Sequence, residues 1–142
     1  MLQIRNCCPT FIFFLLVAMP ITFAHNQKTK VLLPEQLKAF VSENMKQKLA
    51  AFDEIVDSLS QDKLHHASEI AEHYFGQGIH GNELSQYMPD GMKRFNNELI
   101  AASSHFSRIA KTGDTLAAMH SFKAISNTCI TCHSTYEFGA NP

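Results

Sequence analysis

The stretch DTLAAMHSFKAISNTCITCH, residues 114–133, decides the reading of this 142-residue chain. Asp114 is a good helix-capping residue, and Leu116, Met119, Phe122 and Ile125 follow it at helical spacing. One turn further on, Cys129, Cys132 and His133 stand at i, i+3 and i+4, on one side of the same helix. The stretch therefore predicts an amphipathic helix that ends by presenting two thiols and an imidazole together. A local conflict accompanies it. Ser, Asn, Thr and Cys crowd the segment from Ile125 to His133, and all are mediocre helix formers. The order of that turn is expected to depend on what the three side chains hold.

Cys129-Ile130-Thr131-Cys132-His133 is the attachment signature of a c-type haem. Two thiols add across the haem vinyl groups, and the imidazole that follows is placed to bind the iron. Competing uses of the same spacing fit less well. A thioredoxin-like C-x-x-C wants a βαβ context, and no strand pattern surrounds the motif. A zinc site wants a second Cys pair. The only other cysteines, Cys7 and Cys8, lie in a leader-like segment. The expected cofactor is one covalently bound haem c, carried by Cys129 and Cys132, with His133 as the proximal axial ligand.

Residues 1–24 read as a secretory signal peptide. Arg5 gives a positive start, Phe11 to Met19 an unbroken apolar run, and Thr22-Phe23-Ala24 a small-residue cleavage site. An apolar run of nine residues is too short for a bilayer, which asks for about 20. Export to the periplasm follows, without stable membrane insertion, and agrees independently with haem attachment outside the cytoplasmic membrane. Residues 25–142, about 118 of them, suit one domain. Twelve basic and 13 acidic residues nearly balance, which argues against nucleic-acid binding.

Three further helices can be read. The first starts at Pro34-Glu35, with Leu37, Val41, Met45, Leu49, Phe52, Val56 and Leu59 as its apolar stripe. Ser60 looks like the N-cap of a second, bearing Leu64, Ala67, Ile70, Ala71, Tyr74 and Phe75 and stopping at Gly76. After a Gly-rich loop to Asp90, a third runs from about Pro89 to Gly113, with Met92, Phe95, Leu99, Ala102, Phe106 and Ile109 inward. The expected fold is all-α: an antiparallel four-helix bundle with haem attached near the C-terminal end of the last helix.

Such a bundle with Cys129-x-x-Cys132-His133-x-x-Tyr136 near its end resembles the cytochrome c-prime family, over about residues 30–138. Low-spin members of that family place a Met followed by a Lys on the first helix, against the distal haem face. Glu43-Asn44-Met45-Lys46-Gln47-Lys48-Leu49 is similar, so the resemblance implies Met45 as the distal axial ligand. It also implies single-electron transfer with periplasmic redox proteins, and no enzymatic activity. The alternative is a five-coordinate haem protein binding NO or CO, with Met45 packed beside the iron. A homodimer through the first helix stays open, because an internally packed stripe looks the same in sequence. One departure stands out: family members commonly carry Arg or Lys after the aromatic, where this chain has Glu137. Lys123, Lys111 and Arg108 are the candidates to replace that cation.

Overall fold

The computed structural model describes residues 27–78 and 82–140; segment 1–24, expected from its sequence to be a signal peptide, lies outside them. The chain is mostly helical. Strand β1 (Thr29–Leu33) leads into α1 (Glu35–Ser60), α2 (Leu64–Tyr74), the short α3 (Asn82–Ser85), α4 (Asp90–Ala110), α5 (Thr115–Thr135) and strand β2 (Tyr136–Ala140). Helices pack in chain order, α1 on α2, α2 on α4 and α4 on α5, whereas α1 and α5 meet only narrowly. Among the described residues no helix is long and apolar enough to cross a membrane.

Local chemistry explains the boundaries. Pro34 caps α1 from an extended conformation, and Pro89 does the same for α4. Ser60 is not the cap of α2. It is the last residue of α1, its hydroxyl donates back to the Asp57 carbonyl, and Lys63 holds the α2 cap position. The turn between them is made by Asp62 at φ 57°, a left-handed conformation that Asp tolerates through its short polar side chain. Asp114 caps α5 as the sequence indicates, accepting from the Ala117 amide at 2.9 Å.

The two strands are a feature that the sequence reading omits. β1 and β2 pair in parallel, Thr29 opposite Tyr136 through Leu33 opposite Ala140, joining the two ends of the domain. Gly139 is required there by close approach: a Cβ would lie 2.6 Å from Lys30 Cε and 3.1 Å from a Leu32 methyl carbon.

Two apolar clusters result. The main one gathers Ile55, Leu59, Ala67, Ala71, Phe75, Phe106, Phe122 and Ile125 from four helices, with Cys129 packed against it. The other unites Val31, Leu33, Val41, Leu84, Met88 and Met92, with Met45, Tyr136 and Phe138 against it.

The α1 stripe differs from expectation. Val41, Lys48, Ala51, Ile55, Ser58 and Leu59 are the buried residues, while Leu49 is 72 % and Val56 46 % exposed. The helix is rotated about its axis, so that part of its apolar stripe borders solvent or the slot described below. On α5, Leu116 and Met119 are likewise exposed, whereas Phe122 and Ile125 are inward as expected.

Candidate functional site

Helix α5 runs unbroken through the C-x-x-C-H motif to Thr135. Its poor helix formers are accommodated by hydroxyls bonding back along the helix. Thr128 donates to the Ala124 carbonyl at 2.9 Å, and Thr131 to that of Asn127 at 2.8 Å. Thr135 donates to the Thr131 carbonyl at 2.8 Å. A helical frame then places Cys129, Cys132 and His133 on one side, where all three line a cavity of about 300 Å³. A second cavity, of about 570 Å³, adjoins it between α1 and α5.

Three residues line both cavities: Met45, Cys129 and His133. They mark the middle of a single slot that opens where the main cluster and the strand-side cluster meet. Met45 comes from α1 and the strand-side cluster; Cys129 belongs to α5 and the main cluster. The slot is walled by apolar groups, among them Met88, Met92, Phe95, Tyr136 and Phe138 on one side and Leu49, Phe52 and Phe75 on the other. Gly91, in the first turn of α4, has no room for a Cβ because the Tyr136 hydroxyl occupies that place. Tyr136 also meets Phe95 edge-on, with ring centroids 6.3 Å apart. The chain leaving His133 is thereby pinned along the slot wall.

Both cysteines are free thiols, half-buried, and burial pushes both pKa values up. For Cys129 the positive charge of Lys48 opposes that rise; for Cys132 the neighbouring Cys129 adds to it. Burial therefore disfavours the thiolate, the form that binds metal ions, at both positions. His133 is exposed to solvent.

The donor set fits a haem. An apolar slot receives a flat apolar plate, two adjacent thiols can fasten its edge, and an imidazole and a thioether line the same slot from different helices. Met88 and Met92 reach the first cavity too, yet they are 7 % and 3 % exposed and packed into the strand-side cluster.

The cations that sequence reading nominated are elsewhere. Lys111 pairs with Glu72 at 2.7 Å, and neither Lys123 nor Arg108 lines the slot. Instead Lys28, Lys46 and Lys48 line it. Lys48 carried no sequence signal, because a lysine on an amphipathic helix reads as surface. Among the aromatics, Phe106 and Phe122 are core, Phe52, Phe95 and Tyr136 face the slot, and Phe40 is 51 % exposed. Comparison with protein-family models, with curated proteins and with solved structures finds no match to this chain.

Proposed function

We propose that this chain is a periplasmic monohaem c-type cytochrome that carries single electrons between redox proteins. In this reading α1, α2, α4 and α5 form an antiparallel four-helix bundle, resembling the low-spin members of the cytochrome c-prime family. Haem bound in the slot supplies an iron that cycles between the ferric and ferrous states.

The chain's residues would divide the work. Cys129 and Cys132 hold the cofactor covalently near the C-terminal end of α5, and His133 is the proximal ligand. Met45 is the distal ligand, and its thioether favours the reduced iron. The apolar walls keep water from the metal, which raises the potential further. No acid, base or nucleophile is needed, since nothing but an electron moves. The leader read in residues 1–24 supports a periplasmic location, where such haem attachment takes place.

The observation that carries this reading is the sharing of both cavities by Met45, Cys129 and His133, and by no other of the described residues. It also selects Met45 over Met88 and Met92, each of which lines one cavity.

The test is an absorption spectrum of the purified, matured protein and of Met45→Ala. The wild type should show a low-spin haem with the weak far-red band that marks sulfur ligation of ferric iron. The variant should lose that band, turn high-spin and bind carbon monoxide rapidly. A wild type that is already high-spin, or a variant whose spectrum is unchanged, removes Met45 as ligand and favours the five-coordinate, gas-binding alternative.

A further inference from the structure

We propose that Lys48 is a buried electrostatic determinant of the reduction potential, its ammonium fixed in the slot wall beside Cys129 so as to favour the reduced haem. The proposal rests on the haem reading above and deepens it.

Lys48 occupies an unusual position for a lysine. It is 7 % exposed, on the line of α1 that also carries Val41 and Ile55. An apolar residue there would continue that buried line. The ammonium instead donates to the Tyr74 carbonyl at the end of α2 and stands 5.3 Å from the centroid of the Phe75 ring. None of the ion pairs among the described residues involves it, whereas Lys46 two positions earlier is exposed and pairs with Glu43 at 3.4 Å. A buried charge without a counter-ion is costly, and proteins seldom keep one without a use.

Its location supplies that use. Lys48 lines the slot together with Met45 and Cys129. Burial lowers the Lys48 pKa and the charge of Cys129 opposes that shift; the Lys48 charge in turn opposes the rise at the Cys129 sulfur. In the haem reading Cys129 is bonded to the porphyrin, so a charge felt at that sulfur is felt by the cofactor. Reduction adds one electron, delivered by a partner or a mediator; no covalent bond forms or breaks and the ammonium keeps its proton. A fixed positive charge stabilises the state that has gained the electron. Burial also keeps the interaction from being screened by salt, unlike that of a surface lysine.

A purely structural role is the competing account, since the Tyr74 contact ties α1 to α2. Optical potentiometry of the haem-loaded full chain separates the two, using wild type, Lys48→Met, Lys48→Arg and the exposed control Lys46→Gln at low and high salt. At one applied potential, Lys48→Met should shift the reduced-to-oxidised ratio about tenfold toward oxidised. That is the scale of a unit charge acting over about 10 Å through an effective dielectric near 20. For a one-electron couple it equals about 59 mV. The shift should persist at high salt and leave the far-red band in place. Lys48→Arg should stay within about twofold of wild type, as should Lys46→Gln at high salt. If Lys48→Met fails to fold, Lys48→Gln, which keeps a donor for the Tyr74 carbonyl, decides by the same criterion. A ratio within twofold of wild type, or a shift that salt abolishes, overturns the role of Lys48 and leaves the haem reading intact. A colourless wild type overturns both.

Discussion

Replacing Phe122 by Ala should loosen the domain along its weakest seam. α1 and α5 touch narrowly, and the contact includes one ring pair, Phe52 with Phe122, centroids 4.6 Å apart and tilted by 41°. Phe122 also meets Phe106 at 5.5 Å and is 8 % exposed, so this one ring links α1, α4 and α5. Truncating a buried Phe costs about 3–5 kcal/mol through lost transfer energy and the cavity left behind. Against a total stability of about 5–15 kcal/mol for a domain, that is about a fifth or more. For a domain of this size it lowers the melting temperature by about 10–20 °C. Urea melts of the haem-loaded protein, followed by circular dichroism, measure the loss directly. Phe40→Ala serves as the control: with Phe40 51 % exposed, it should change stability by about 0.5 kcal/mol or less. A Phe122→Ala loss under about 1 kcal/mol would refute the seam argument, because the site would then collapse without cost.

Two smaller predictions follow from the polar contacts. Asp114→Ala removes the acceptor for the Ala117 amide and should cost about 1 kcal/mol, read as a parallel shift of the urea midpoint; no shift would mean the cap is replaced by water. Glu72 accepts from Lys111 at 2.7 Å and from the buried Ser107 hydroxyl, and these bonds hold its carboxyl below the usual range. A folded-state pKa that is lowered adds stability above the unfolded value, near 4.3, and that stability fades as pH falls through the folded value. Both partners are about half exposed, so the contribution is about 1 kcal/mol or less. Lys111→Met should therefore be less stable than wild type at neutral pH, with the difference closing as pH falls through the acid range; a gap that stays constant would rule out the ion pair as its source.

Most helix boundaries were legible because their signals are local. Pro34 and Pro89 fix φ where helices begin, Asp114 supplies a cap, and Gly113 at φ 84° supplies a stop. The α1 stripe is legible only in part: Val41 and Leu59 are buried as the spacing predicts, but the stripe's centre is displaced. Apolar spacing selects Met45, Leu49, Phe52 and Val56, but the residues buried between helices include Lys48 and Ser58, which no hydrophobic pattern would nominate. A residue that faces a cofactor slot and one that faces a neighbouring helix carry the same apolar signature, and the polar members of the true interface shift its apparent centre. The strands escaped for a different reason. Each has five residues, and their pairing joins positions more than a hundred residues apart, so neither shows until both ends of the chain are in place. The helical placement of the C-x-x-C-H motif was legible, because the spacing i, i+3 and i+4 by itself puts the three side chains on one side of α5.

The two-cluster arrangement links stability to the site. Cys129 packs on the main cluster and Met45 on the strand-side cluster, so any group bound by both residues couples two bodies of apolar packing. Leu49 and Ile130, on facing helices beside the same slot, are 72 % and 63 % exposed. An apolar plate inserted there would cover part of both, and full burial of such a side chain is worth about 1.5–3 kcal/mol. The cofactor in this reading acts as core as well as redox centre. That explains how a helix as rich in Ser, Thr and Asn as the end of α5 can serve the most demanding position in the fold. Its own propensity contributes little, and the two thioether links and the His133–iron bond would fix three points of one turn to a rigid body that both clusters grip. The same logic accounts for β2: placed directly after Thr135 and paired to β1, it anchors the far side of the motif to the segment that leads into α1, and so to Met45.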